Sequence, residues 1–98
     1  MTYCFDIDGT ICNDTGGRYE FCAPYSERVS LIRGLYSSGH TIIIHTARSS
    51  KRLGLTVDQL ASWKVPYHHL IMGKPKADLY IDDKGVEADD FFSDSFGL

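Results

Sequence analysis

Asp6 and Asp8 stand two residues apart just after a short apolar run, Tyr3-Cys4-Phe5, and are followed by Gly9-Thr10. On an extended backbone, residues i and i+2 share a face, so both carboxylates point the same way. Two adjacent carboxylates repel unless one is protonated or a cation lies between them. Gly9 permits a sharp exit from the strand, and the Thr10 hydroxyl can fix that turn. Three further stretches hold groups of a related kind. Thr46 ends the run Thr41–His45, Lys74 lies in Gly73-Lys74-Pro75-Lys76, and Asp82-Asp83 follows Leu79-Tyr80-Ile81. Mg2+ prefers hard oxygen ligands and keeps several waters, so a few carboxylates plus a phosphate oxygen suit it. A hydroxyl and a lysine ammonium suit phosphoryl oxygens, whose charge must be neutralised during transfer. Taken together, these groups are those of a phosphoryl-transfer site.

Groups so far apart along the chain need elements that bring them together. The runs Tyr3–Phe5, Thr41–His45 and Leu79–Ile81, with a weaker one at Leu70-Ile71-Met72, are continuous in apolarity rather than alternating. That predicts strands of a parallel sheet covered on both faces, with Cys4 in the core. Tyr25, Val29, Ile32, Leu35 and Tyr36 recur at three- and four-residue steps and predict a helix, with Pro24 in its first turn and Gly39 just past its end. Thr56 and Gln59 fit a capping box opening a second helix. Val57, Leu60 and Ala61 would line its buried face, with Trp63 at the margin and Pro66 beyond its end. A last helix is expected over Glu87–Phe92. The order β-α-β-α-β-β-α predicts one domain over residues 1–98: a three-layer α/β/α sandwich with a small, mainly parallel sheet and no cap domain. All carboxyl ends of such a sheet share one edge, where ligands bind, so Asp6, Asp8, Thr46, Asp82 and Asp83 are expected to converge there. The polar segment Cys12–Cys22, with Gly16-Gly17, reads as a loop or hairpin protruding over that edge.

Composition narrows the function classes. Ten basic against 13 acidic residues give a net charge of −3, with no basic surplus for nucleic acid. The longest apolar run, Ile42-Ile43-Ile44, is far short of the ~20 residues of a membrane span, and the N-terminus lacks the features of a signal peptide. A cytoplasmic protein is expected, and its three cysteines, Cys4, Cys12 and Cys22, as reduced thiols. An EF-hand starting at Asp6 would need glycine at Ile11 and glutamate at Gly17. Gly73-Lys74 lacks the flanking residues of a P-loop, and His40, His45, His68 and His69 lack zinc spacing. Arg48, Lys51 and Arg52 read as a solvated basic run, with Arg48 a candidate contact to a second anionic group of a substrate. Phe91-Phe92 read as packing residues, with Phe92 or Phe96 a candidate subunit contact.

Asp6-Ile7-Asp8-Gly9-Thr10 after an apolar strand resembles the DxDGT motif of the haloacid dehalogenase superfamily. Thr46 resembles its second motif, Lys74 its third and Asp82-Asp83 its acidic fourth, in order over positions 6 to 83. The stretch from Gly73 to Lys84 is similar to small capless members associated with capsule and surface-polysaccharide biosynthesis. The resemblance implies a Mg2+-dependent phosphomonoesterase acting on a sugar phosphate or related small metabolite. Asp6 would be the nucleophile that forms an aspartyl-phosphate, and Asp8 the general acid and base. Asp6, the backbone carbonyl of Asp8, and Asp82 would hold Mg2+, with Asp83 close by. Thr46 and Lys74 would bind the phosphoryl group, Lys76 being the alternative lysine, and Gly9, Thr10 and Arg48 are candidate substrate contacts. A nucleotidase of the same superfamily and a non-catalytic phosphate-binding or assembly module are the competing readings. Without a cap, the substrate, the Cys12–Cys22 loop or a second subunit must exclude water, so a homo-oligomer covering the site is a candidate arrangement.

Overall fold

Tyr3, Phe5, Ile42 and Ile44 form the apolar stripe on which the sheet is built. The computed structural model describes residues 1–95. β1 (Thr2–Phe5), β2 (Thr41–His45) and β3 (His69–Ile71) lie in the order β1-β2-β3, all parallel. The register sets Tyr3 beside Ile42, Phe5 beside Ile44, and Ile44 beside Leu70. α1 (Ser26–Ser37) connects β1 to β2, α2 (Leu53–Ser62) connects β2 to β3, and α3 (Ala88–Ser95) follows. This is an α/β fold, as the strand and helix patterns predict. No helix among the described residues is long and apolar enough to cross a membrane.

Both crossovers step the same way across the sheet, and right-handed units then put α1 and α2 on one face. α3 joins that face: Phe91 packs edge-on against Tyr3 and Phe5, and Phe92 stacks on Phe5. Arg28 of α1 reaches Asp89 of α3 at 2.6 Å and lies over the Phe92 ring. Burial alternates accordingly. Phe5, Ile42 and Ile44 are buried, Ile43 and His45 are half-buried, and Cys4 is exposed. The expectation of Cys4 in the core is therefore corrected. Cys4 sits on the opposite side of β1 from Phe5, away from the helices.

A second correction concerns Leu79–Ile81, which form no strand. Leu79 is 77% and Ile81 91% exposed, and residues 72–87 have no regular secondary structure. The chain there is turned by its own polar groups. The Tyr80 hydroxyl donates to the Pro75 carbonyl, and the Asp82 carboxylate accepts the N–H groups of Lys84 and Gly85. Three apolar residues are too few to override such local turns without a partner strand.

Helix boundaries differ where side chains have other uses. α1 ends as expected: Gly39, at φ +92°, donates to the Tyr36 carbonyl and His40 to that of Leu35. Pro24 lies ahead of the helix rather than in its first turn, bridged to Cys12. α2 begins at Leu53 behind a 3-10 turn at Ser50–Arg52, so Thr56 and Gln59 sit inside the helix instead of capping it. Its buried residues are Thr56 and Leu60, while Val57 and Ala61 face outward. α3 is displaced by a residue at its start and extends to Ser95; Phe92 is buried, and Phe96 lies outside the described residues.

Candidate functional site

The end of β1 is held by a compact turn. The Ile7 carbonyl accepts N–H groups from Thr10, Ile11 and Cys12 at 3.0, 2.8 and 3.2 Å, and Gly9, at φ +82°, donates to the Cys12 carbonyl at 2.8 Å. Ile7 and Ile11 are fully buried, which anchors the turn and leaves Asp6 and Asp8 on either side of Ile7 at the rim. The Thr10 carbonyl accepts from Arg28 Nη1 at 3.1 Å, tying the turn to α1.

The tip of β2 is zipped to the segment after β3. Thr46 N–H donates to the Ile71 carbonyl (3.0 Å), Lys74 N–H to the Thr46 carbonyl (2.8 Å), and Gly73 N–H to the Arg48 carbonyl (2.9 Å). These bonds carry Lys74 to the carboxyl edge of the sheet. There its Nζ lies 3.9 Å from Asp6 Oδ2 and 3.9 Å from the centre of the Tyr80 ring. Asp6, Thr46 and Lys74 are thus brought together from three segments, and it is Lys74, rather than Lys76, that faces Asp6. Burial pushes the Asp6 carboxyl up from its ordinary range. The Ile7 N–H, at 2.8 Å, and the Lys74 charge pull the other way, while the neighbouring Asp8 adds to the rise. Thr46 is fully buried, and its Oγ1 accepts the Arg48 N–H at 3.1 Å. The hydroxyl thus shapes the β2 exit, while the Thr46 carbonyl holds the Lys74 N–H.

Asp8 has a different surrounding. Arg48 Nε donates to its Oδ2 at 3.0 Å and Arg48 Nη2 to its Oδ1 at 2.9 Å, a two-pronged ion pair. Arg48 is 1% exposed. Its Nη1 donates to Thr56 Oγ1 (3.2 Å) and Gln59 Oε1 (2.6 Å), its Nη2 also reaches Cys22 Sγ (3.6 Å), and its guanidinium lies 4.5 Å from the Tyr19 ring centre. All five N–H donors of the guanidinium are therefore engaged. Burial alone disfavours the cation, but the Asp8 hydrogen bonds and charge outweigh it and hold the Arg48 pKa above its ordinary value. The expectation of a solvated or substrate-facing Arg48 is corrected: it is an internal strut between the β1 turn and α2. Thr56 and Gln59 serve this strut, which is why they are not at the helix start.

The Cys12–Cys22 loop folds back rather than protruding freely. Asn13 N–H donates to the Ala23 carbonyl and Ala23 N–H to Asn13 Oδ1, closing the loop's base. A 3-10 turn at Tyr19–Phe21 lays Tyr19 over Arg48, and Gln59 Nε2 donates to the Tyr19 carbonyl at 2.6 Å. Sequence reasoning missed Tyr19, Thr56 and Gln59 as partners of Asp8's neighbour. One signal was available: Thr56, Gln59, Leu60 and Trp63 share a helical stripe, and two polar residues on an inward stripe imply a buried polar partner.

Asp82 and Asp83 lie in the irregular segment between β3 and α3. Asp82 is exposed, and the N–H groups of Lys84 and Gly85 hold its carboxyl below its usual range, with the Lys74 charge contributing. Asp83 is exposed as well. Among the described residues, one group of three acidic, Cys or His side chains has all its ligand atoms within 4.8 Å: Asp8, Cys12 and Cys22. Asp6, Asp8, Asp82 and Asp83 form no such group. Their oxygen chemistry suits Mg2+, and no three of them lie within 4.8 Å of one another in this structure. The positive charge beside Asp6 is the Lys74 ammonium.

No protein-family model matches this chain, and no curated protein matches it significantly. Among solved structures it is similar to a crystal structure of a target protein from Vibrio cholerae, with 25% identity and a TM-score of 0.81 over 94% of this chain and 87% of that one. It is also similar to a chain in the structure of a Pnkp1/Rnl/Hen1 complex, with 21% identity and a TM-score of 0.64. That likeness covers 83% of this chain and 30% of the other, and concerns the fold alone.

Proposed function

We propose that this chain is a phosphomonoester hydrolase of the haloacid dehalogenase type, acting through an aspartyl-phosphate at Asp6 on a sugar phosphate or related small metabolite. The observation that carries the reading is the convergence of Asp6, Thr46 and Lys74, from separate segments, at the carboxyl edge of a parallel sheet. Asp6 Oδ2 attacks phosphorus, the bond from phosphorus to the ester oxygen breaks, and the alcohol leaves. Lys74 neutralises the charge gathering on the phosphoryl oxygens. Water then attacks the phosphorus of the aspartyl-phosphate, releasing phosphate and restoring the Asp6 carboxylate. Asp8 accepts the proton of that water in this reading; both its oxygens face Arg48, so donating a proton to the departing alcohol first requires it to turn from Arg48.

Mg2+ remains part of the proposal as the cation that the aspartates' chemistry suits, but no step above passes through it. The three-layer sandwich belongs to the same reading, and the half-open face with Cys4, Ile43 and His45 is where a further layer would lie. So does a cytoplasmic protein whose site edge is covered by substrate, by the loop over Arg48 or by a second subunit.

The test is turnover of an aryl phosphate and a panel of sugar phosphates and nucleotides, with and without Mg2+. Asp6→Asn is expected to lower turnover by about 10³-fold or more while the circular dichroism spectrum is unchanged. Equal turnover in the two proteins would remove Asp6 as the nucleophile.

A further inference from the structure

The Asp8 carboxylate has two thiols beside it. Cys22 Sγ lies 3.4 Å and Cys12 Sγ 3.7 Å from Asp8 Oδ1, and the two sulfurs lie within 4.8 Å of one another. We infer that Cys12 and Cys22 are a redox pair, which a peroxide converts to a disulfide that pins the 13–21 loop at Asp8. The same three side chains are a poor metal site. The Arg48 guanidinium already supplies a cation there, 2.9 Å from Asp8 and 3.6 Å from Cys22.

The two cysteines are unequal. Cys12 is fully buried and fixed by its bridges to Asp8 and Pro24. Cys22 is half-buried, on a loop whose tip is exposed at Gly16 and Gly17. Cys22 therefore meets the oxidant first. Its sulfur displaces hydroxide from hydrogen peroxide, giving a sulfenic acid and, after proton uptake by the hydroxide, one water. The Cys12 sulfur then attacks the Cys22 sulfur, the S–O bond breaks, and the Cys12 proton leaves with the oxygen as a second water. Two thiols and one peroxide become one disulfide and two waters. Closing the S–S bond to about 2.05 Å draws Cys22 toward the immobile Cys12. This moves the sulfur off Arg48 Nη2 and shifts the loop that lays Tyr19 on the guanidinium. The consequence for turnover rests on the proposed role of Asp8; the disulfide itself does not.

The test treats reduced protein with one equivalent of hydrogen peroxide and counts free thiols, with peptide mapping by mass spectrometry. The three thiols are expected to fall to one, with residues 12 and 22 linked, and a Cys4→Ser chain to fall from two to none. Aryl phosphate turnover is expected to drop by about tenfold or more on oxidation and to return with dithiothreitol; in Cys22→Ser, peroxide is expected to leave that variant's own rate unchanged. A Cys22 that stops at a sulfur oxyacid with Cys12 still free, or a disulfide joining Cys4 of two chains, would overturn the pair. A Cys12–Cys22 disulfide whose formation leaves turnover the same would overturn its coupling to Asp8. If the reduced chain hydrolyses no phosphate ester, the phosphatase reading fails, while the thiol count and mapping still decide whether the pair exists.

Discussion

The stretches that follow the strands of this chain end in two different ways. The β1 turn and the β2 exit, residues 6–12 and 46–48, bury charge: Asp8 and Arg48 meet as a two-pronged pair with every guanidinium donor used. Residues 79–81 are apolar yet lie in the open, Leu79 at 77% and Ile81 at 91% exposure. The contrast shows that residue type alone does not decide burial. A charge goes inside when geometry completes its partners. An apolar run stays outside when nothing nearby offers a complementary edge.

The sharpest way to break that contrast is to remove Arg48. Arg48→Met leaves Asp8 beside buried groups without its counter-charge and is expected to cost about 3 kcal/mol in denaturant unfolding. Adding Asp8→Asn to it should recover part of the loss, because the stranded charge is gone. A cost below about 1 kcal/mol for Arg48→Met would make the pair an ornament of the surface rather than a strut. Phe92→Ala, at 2% exposure between Phe5 and Arg28, tests the apolar side of the same comparison. A loss near 3 kcal/mol is expected there as well.

Smaller effects sharpen it. Burial raises the Asp6 pKa in the folded chain, so the native state binds that proton more tightly than the unfolded one. The contribution is fully present below the ordinary aspartate value, about 3.9, and is lost as pH rises through the raised native value. Asp6→Asn is thus expected to raise the melting temperature near neutral pH in chelator-treated buffer, with the gain shrinking toward acid. A gain that grew toward acid would reverse the sign assigned to Asp6. Smallest of all, Ile81→Asp is expected to change stability by less than about 0.5 kcal/mol. A large loss would show that Leu79–Ile81 pack against something in solution.

Much of this was legible locally. The α1 stripe from Val29 to Leu35, the runs of β1 and β2, and the turn at Gly9 follow from periodicity and backbone freedom. The weak run at Leu70–Met72 is displaced by one residue from β3, as short strands without strong flanks tend to be. What escaped was long-range. Arg48 reads as one cation in a basic run because its partner Asp8 is 40 residues away, and no local pattern links them. Thr56 and Gln59 fit a capping box equally well as they fit a polar inward stripe, and only the position of Arg48 decides between them. Cys4 reads as a core residue because an apolar run does not reveal that the helices gather on one face. Leu79–Ile81 differ for the complementary reason: apolarity suggests a strand, but among the described residues the sheet consists of β1, β2 and β3 and offers this run no partner.

The most direct measurement of the central claim is chemical trapping at the proposed nucleophile. Protein quenched with borohydride during aryl phosphate turnover, then digested and mapped by mass spectrometry, should contain homoserine at position 6, the reduction product of an aspartyl-phosphate there. Phosphate release continuing with aspartate intact at position 6 and no homoserine in its peptide would contradict the account.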